Sequence, residues 1–288
     1  MPVVQIGSPP WSRDDLVESL EEFADLYSRR PIAVNTGGMK SPHLFAMWFA
    51  LRMIKPKAVI ESGVWKGQGT WFIEQACPDA EIHCLDINLS RVEYQSTRAT
   101  YHESDFSYVD WSGLPCEDTL LFFDDHQNAY ERLKTVKWFG FRHAMFEDNY
   151  SIRHGACYSL KQALFGTGFD HNRGKSPLHK RIRQGLRYFR DSIQGREIKP
   201  GQWVGPQVAG SPEISPNDVN EAYLRKNLEI YYEFPPLFKP DRTRWGDLWD
   251  ETFYPTPEPL LRSVQAPYQQ AFMTEATDYT WICYTRLK

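Results

Sequence analysis

The sequence has no CxxC pair. Its five cysteines (Cys77, Cys84, Cys116, Cys157 and Cys283) are scattered without zinc-ligand spacing. An odd count in a chain of this length speaks for reduced thiols and a cytoplasmic setting. No apolar run approaches the roughly 18 residues that cross a bilayer, so no transmembrane segment is expected. The opening MPVVQIGSPPWSRDD lacks the apolar core of a secretory signal. Positive charge is not in excess: 33 Lys and Arg against 37 Asp and Glu give a net charge of −4. That removes the electrostatic ground for a nucleic-acid partner. No internal repeat is visible.

What is present is a core. The 288 residues are 41% hydrophobic, enough for one large α/β domain with additions. The 10 Trp and 15 Tyr exceed what such a core needs, which places some rings on a binding surface.

The pattern along the chain divides it into four parts. Residues 1–54 read as an N-terminal helical segment. SRDDLVESLEEFADLYSR (12–29) is one amphipathic helix with Ser12 as N-cap, and PHLFAMWFALRMI (42–54) is a second, with the loop NTGGMKS between them. Residues 55–166 alternate strand and helix. The strands are KAVIES (57–62), EIHCLDI (81–87), a weak one near 100–106, TLLFFDD (119–125) and HAMFED (143–148). The helices are GQGTWFIEQAC (67–77), SRVEYQSTRA (90–99) and AYERLKTVKWF (129–139). Short continuous apolar strands alternating with helices predict a mostly parallel central sheet covered on both faces. Residues 167–270 lose that rhythm and read as a cap or insertion. It opens on a basic helix at 177–194, with nine Lys/Arg against two Asp/Glu between 173 and 199. Residues 271–288 return to the core with a last strand, YTWICYTRL (279–287).

Two constellations carry chemistry. The first strand runs into Glu61-Ser-Gly63-Val-Trp-Lys-Gly67-Gln-Gly69-Thr70. A glycine turn between strand and helix lets backbone approach a ligand, and Asp86, ending the second strand, can hydrogen-bond both hydroxyls of a ribose. The glycines do not fit the dinucleotide pattern G-x-G-x-x-G. Asp105, close to the end of the weak third strand, joins this candidate cofactor-binding set. The second constellation is acidic. TLLFFDDHQ and HAMFEDNY are apolar until their last residues, and right-handed connection puts both carboxyl ends on one edge of the sheet. Asp124 or Asp125 then lies near Glu147 and Asp148. Carboxylates crowded in this way call for a cation, a shared proton or basic partners.

Glu61-x-Gly63-x-x-x-Gly67 resembles the first motif of class I, S-adenosylmethionine (SAM)-dependent methyltransferases. FFDDHQ and FEDN resemble the metal site of the catechol and caffeoyl-CoA O-methyltransferases, and of the macrocin O-methyltransferase and cephalosporin-hydroxylase-like branch. The resemblance spans roughly residues 35–165. It implies a Rossmann-like class I methyltransferase fold and SAM held by Glu61, Gly63, Gly67, Gly69, Thr70, Asp86 and Asp105. Lys40 would lie on an N-terminal loop over the cofactor. It also implies a divalent metal, Mg²⁺ by ligand type, on Asp125, Asp148 and Asn149. The Lys that follows the first metal Asp in catechol-type enzymes is replaced by Asn128, so His126 becomes the candidate base beside Asp125. The expected activity is O-methylation of a small hydroxyl acceptor, with a sugar or catechol ring favoured and an anionic group suggested by the basic helix. His154 and Arg153 could face that acceptor. A homo-oligomer stays open. Two alternatives stand beside this: a non-catalytic cofactor- or partner-binding relative, and a cephalosporin-hydroxylase-like oxidoreductase, for which no 2-His-1-carboxylate triad is readable.

Overall fold

The computed structural model describes residues 3–152, 154–169 and 213–288. The basic helix expected at 177–194, and Arg153, lie outside the described residues.

Three helices come first: α1 (Arg13–Glu18), α2 (Leu20–Ser28) and α3 (Ser41–Ile54). The single helix expected over 12–29 is two. Ser12 closes a capping box with Asp15, but the Ser19 hydroxyl donates back to the Asp15 carbonyl at 2.8 Å and marks the break. The core then runs β1 (Ala58–Ser62), α4 (Gln68–Ala76), β2 (Glu81–Leu85), β3 (Ala99–His102), β4 (Thr119–Phe123), α5 (Ala129–Trp138), β5 (His143–Phe146) and α6 (Leu160–Leu164). A helix at Val219–Asn227 leads into β6 (Leu228–Glu233). A helix at Gln269–Thr274 precedes β7 (Cys283–Leu287).

The seven strands form one sheet in the order β3-β2-β1-β4-β5-β7-β6. β1 to β5 are parallel, and β7 inserts antiparallel between β5 and β6. This is a Rossmann-like, doubly wound α/β fold. The order reverses between β1 and β4, which makes the crevice beyond their carboxyl ends the expected place for a ligand. Every residue of β1 and β4 is buried. Alternation sorts their side chains to two cores. Val59, Leu120 and Phe122 join the α1–α4 side, while Ile60, Leu121 and Phe123 join the α5–α6 side.

Three further expectations are corrected. SRVEYQSTRA is not a helix but a short 3₁₀ turn at Leu89–Arg91 followed by irregular chain. Its polar side chains bond nearby backbone instead: Asn88 accepts from Ser90 N–H, and Ser96 Oγ from Arg98 N–H. β6, inside the stretch assigned to the cap, is a strand of the core sheet. The last strand begins only at Cys283, because Trp281 sits at φ 65°, outside strand geometry.

Candidate functional site

The glycine turn sits at the crevice, but each of its glycines answers to the protein's own packing. Gly63 has φ 99°, and a Cβ there would meet the Asp124 carbonyl oxygen at 2.1 Å. Gly67 has φ 90°, and a Cβ there would meet the Tyr94 carbonyl oxygen at 2.0 Å. A Cβ at Gly69 would meet Glu61 Oε1 at 2.3 Å. Glu61 is buried on β1 and takes bonds from the Thr70 hydroxyl at 2.5 Å and the Cys84 thiol at 3.3 Å. Burial pushes its carboxyl up to about 7. Thr70 is therefore spent on Glu61. Asp86, half-buried at the end of β2, accepts from the Val64 and Trp65 amides at 3.2 Å and the Asn88 amide at 3.0 Å. It binds the glycine turn itself.

The loop 35–41 does fold over this turn. The Trp65 indole donates to the Thr36 carbonyl at 3.1 Å, and the Met39 methyl lies against Gly69. Lys40, at the N-cap of α3, is half-buried. Around this contact several buried polar atoms have no partner: Asn35 Oδ1, Ser41 Oγ, Glu61 Oε1 and both ends of the Gln68 carboxamide. Unsatisfied groups of this kind mark a place where a polar ligand or water is expected.

The acidic edge splits into two clusters. Asp125 accepts from Ser62 Oγ at 2.8 Å, Gln127 N–H at 3.1 Å and Arg132 Nε at 3.0 Å. The same guanidinium forks onto Asp105, with Nη1 at 2.9 Å from Oδ1 and Nη2 on Oδ2. Burial would raise the Asp105 carboxyl, but Arg132 outweighs it and holds it down to about 2. Asp105 and Asp125 are thus two halves of one ion-pair network, and neither stands free. Asn149 is fully buried and equally committed. Its amide donates to the Tyr231 hydroxyl at 2.9 Å, and its oxygen accepts from Lys161 N–H at 2.9 Å. Asn128 caps α5, accepting from Glu131 N–H at 3.1 Å.

The residues brought together are Asp124, His126 and Asp148, with one ligand-type atom from each within 4.8 Å of the others. Of the expected metal ligands Asp125, Asp148 and Asn149, Asp148 belongs to this group, while Asp125 and Asn149 are bonded to protein partners. Asp124 leaves β4 with its amide on the Ser62 carbonyl at 2.8 Å. His126 has φ 55°, a left-handed conformation rare for a side-chain-bearing residue. Its Nδ1 lies 3.6 Å from Asp148 Oδ2. That oxygen is buried and has no hydrogen-bond partner. Burial, with Glu147 close by, raises the carboxyls of Asp124 and Asp148 well above the usual range, and Asp148 adds to the rise at Asp124. Asp148 in turn raises His126. A cavity of about 10 Å³ between Asp125, His126, Asp148 and Cys157 has room for a water or small ion. A larger hollow of about 560 Å³ shares Gln127 and Arg132 with that cavity and runs along Ser107 and Asn217.

Two buried residues that sequence reasoning left out hold this edge in place. His43 of α3 accepts from Thr280 N–H at 3.0 Å through Nε2, so its Nδ1 carries the proton directed at Glu147. Burial alone would raise the Glu147 carboxyl, and His43 brings it down to about 2. Lys161 of α6 pairs with Glu233 of β6 at 2.5 Å and with the Pro255 carbonyl at 2.6 Å, at side-chain exposures of 1% and 0% for the ion pair. Tyr231 links Glu233 back to Asn149. No local motif marks these residues: their partners lie some 70 to 240 positions away in sequence.

No family model and no curated protein matches this chain. Solved structures similar to it include a methyltransferase of Podospora anserina bound to SAH, at 22% identity, covering 66% of this chain and 81% of that one, with TM-score 0.35. The O-methyltransferase TomG of Streptomyces achromogenes, involved in tomaymycin synthesis and bound to SAM, is 15% identical, with 65% and 86% covered and TM-score 0.34. An O-methyltransferase of Bacillus cereus with SAH is 11% identical, with 64% and 81% covered and TM-score 0.33. Likeness at this level leaves the strand order as the ground for the fold.

Proposed function

We propose that this chain is a SAM-dependent O-methyltransferase assisted by a divalent cation. The observation that carries the reading is the buried, unpartnered Oδ2 of Asp148, set beside Asp124 and His126 at the switch-point edge of the sheet. A cation would relieve that cluster, and oxygen donors suit Mg²⁺. The cofactor would lie over the turn 63–69. There the unpartnered groups of Asn35 and Gln68 offer it hydrogen bonds.

Bound SAM would supply an electrophilic methyl, and a cation held by Asp124 and Asp148 would lower the pKa of an acceptor hydroxyl. The chain's own work is placement. Asp124 and Asp148 would hold the ion. His126, on its left-handed turn, takes the hydroxyl proton on its ring, while Nδ1 faces Asp148. Asn128 is the helix cap and has no part in the chemistry. Vicinal hydroxyls on a sugar or catechol ring suit two open positions on a cation.

The test is titration of SAM into metal-free protein and into protein with Mg²⁺, followed by methyl transfer to a panel of vicinal diols. Asp148→Ala should abolish turnover and leave SAM affinity unchanged. Absence of SAM binding overturns the reading. SAM binding without turnover on any diol, with or without Mg²⁺, would instead make this a non-catalytic binding protein. The commitment of Asp86 and Asp105 to protein partners gives that second reading its footing. Oxygenation is disfavoured because the trio offers one imidazole and two carboxylates, the reverse of the 2-His-1-carboxylate set.

A further inference from the structure

A tight turn in the segment between β6 and β7 packs on Tyr150 and His154, which follow the acidic edge in sequence. Arg242 and Leu248 bridge antiparallel, Thr243 N–H donates to the Asp247 carbonyl at 2.8 Å, and Gly246 N–H to the Thr243 carbonyl at 2.9 Å. Gly246 has φ 87° with nothing within 4 Å of a would-be Cβ, so glycine is there for its backbone conformation. Arg242 Nη1 closes the turn on the Gly246 carbonyl at 2.7 Å. Arg244 and Trp245 stand at its tip.

Trp245 is held, yet 39% exposed. It stacks on His154 at 4.1 Å between centroids and 17° between planes, with Tyr150 at 6.1 Å and Trp281 at 6.4 Å. His154 is itself fixed, its Nε2 2.6 Å from the Tyr254 hydroxyl and 3.2 Å from Asp247. Tyr150 is two residues beyond Asp148, and burial together with that nearby carboxylate raises its phenol. The indole is thus tied, through Tyr150, to the wall of the acidic trio. Arg244 is exposed, and among the described residues no carboxylate or carbonyl pairs with it. Its charge reaches His126, whose protonation it opposes. An exposed guanidinium without a carboxylate partner can fork bidentately onto a ligand anion. A stacked indole offers apolar area that is already ordered, so little freedom is lost when a ring packs on it.

We infer that Arg244 and Trp245 form an acceptor subsite for a ring compound that carries both a hydroxyl to be methylated and an anionic group. Trp245 receives the ring and Arg244 the anion, with the hydroxyl directed to the trio. This rests on the methyltransferase reading for the fate of the hydroxyl, but not for the binding.

The experiment is isothermal titration of the full chain with two matched pairs: 3,4-dihydroxybenzoate against catechol, and glucose 6-phosphate against glucose, each with and without Mg²⁺. In at least one pair the anionic member should bind about tenfold tighter or more, the scale of one charge-assisted pair. Arg244→Gln should bring the two members to parity, and Arg244→Lys should keep part of the preference. Trp245→Ala should weaken both members alike. Equal binding within both pairs overturns the inference. So does a preference that survives Arg244→Gln, or one that exists only with Mg²⁺ and is indifferent to Arg244, since the ion would then hold the anion. Titrating SAM into the same preparations separates the two claims. Anion preference without SAM binding sinks the methyltransferase reading and keeps the subsite, while SAM binding without anion preference does the opposite.

Discussion

Asp125 shares one guanidinium with Asp105, whereas Asp124, one residue earlier, faces Asp148 and Glu147 with no Lys or Arg paired to it among the described residues. The two aspartates share a sequence context, FFDDHQ, and differ in everything the fold adds. Around Arg132 each negative charge has a hydrogen-bonded counter-charge. Around Asp148 three carboxylates crowd together with imidazoles for counter-groups, His126 at 3.6 Å and His43 on Glu147, and a buried oxygen goes without a hydrogen bond. Neutralised carboxylates hold elements together; uncompensated ones cost stability and persist where they serve a ligand. That contrast turns an acidic edge into one structural cluster and one candidate site.

The largest effect should come from removing the shared cation. Arg132→Met leaves two partly buried carboxylates unpaired and is expected to cost about 3–5 kcal/mol in urea unfolding. Adding Asp105→Asn and Asp125→Asn should recover most of it. If Arg132→Met is as stable as the wild type, the cluster is not structural. Next is Asp148→Asn. Methyl transfer should fall by about 100-fold or more, a loss of cation-assisted charge stabilisation. Stability of the metal-free protein should hold or rise by about 1 kcal/mol, as buried like-charge repulsion is relieved. A comparable loss of stability would instead make Asp148 a structural partner. The neighbours can then be compared directly. Asp125→Asn should cost about 1–2 kcal/mol, since charged hydrogen bonds are lost, and should keep the rise in melting temperature on adding Mg²⁺. Asp124→Asn should lose that rise at little cost.

The smallest effect is in pH dependence, where the clusters should have opposite signs. Asp105 has a folded pKa held down to about 2, below the roughly 3.9 of an unfolded aspartate. Its contribution is complete above that unfolded value and is lost as pH falls toward 2. Asp148 and Asp124 have raised folded pKa values. In the chelated protein stability should therefore fall as pH rises from about 4 upward through those values. Asp148→Asn should flatten the upper limb of a stability–pH curve and Asp105→Asn the lower. A curve altered on the same side by both variants would erase the distinction.

Much of the fold was legible because short apolar runs such as TLLFF and HAMF bound their own strands. β6 was not, since LEIYYE follows a polar helix directly and its place depends on pairing with Cys283–Leu287 far along the chain. The acidic edge was legible as a location. Which of its members are free was not, because Asp125 is claimed by Arg132 from the next helix and Asn149 by Tyr231 from the far side of the sheet. The φ of His126 and the backbone packing against Gly63 are set by tertiary contact and leave no local mark.

The position of β7 has a consequence for the order of assembly. β1 to β5 can pair as soon as each leaves the ribosome, but β6 has, among the described residues, only the bridge from Ile6 to Tyr231 until β7 arrives, roughly 50 residues later. β7 then inserts between β5 and β6 and completes both ladders at once. A nascent chain stalled before Cys283 would carry an open edge on β5, a ready template for pairing with another copy. Completion of the outer half of the sheet thus waits on β7.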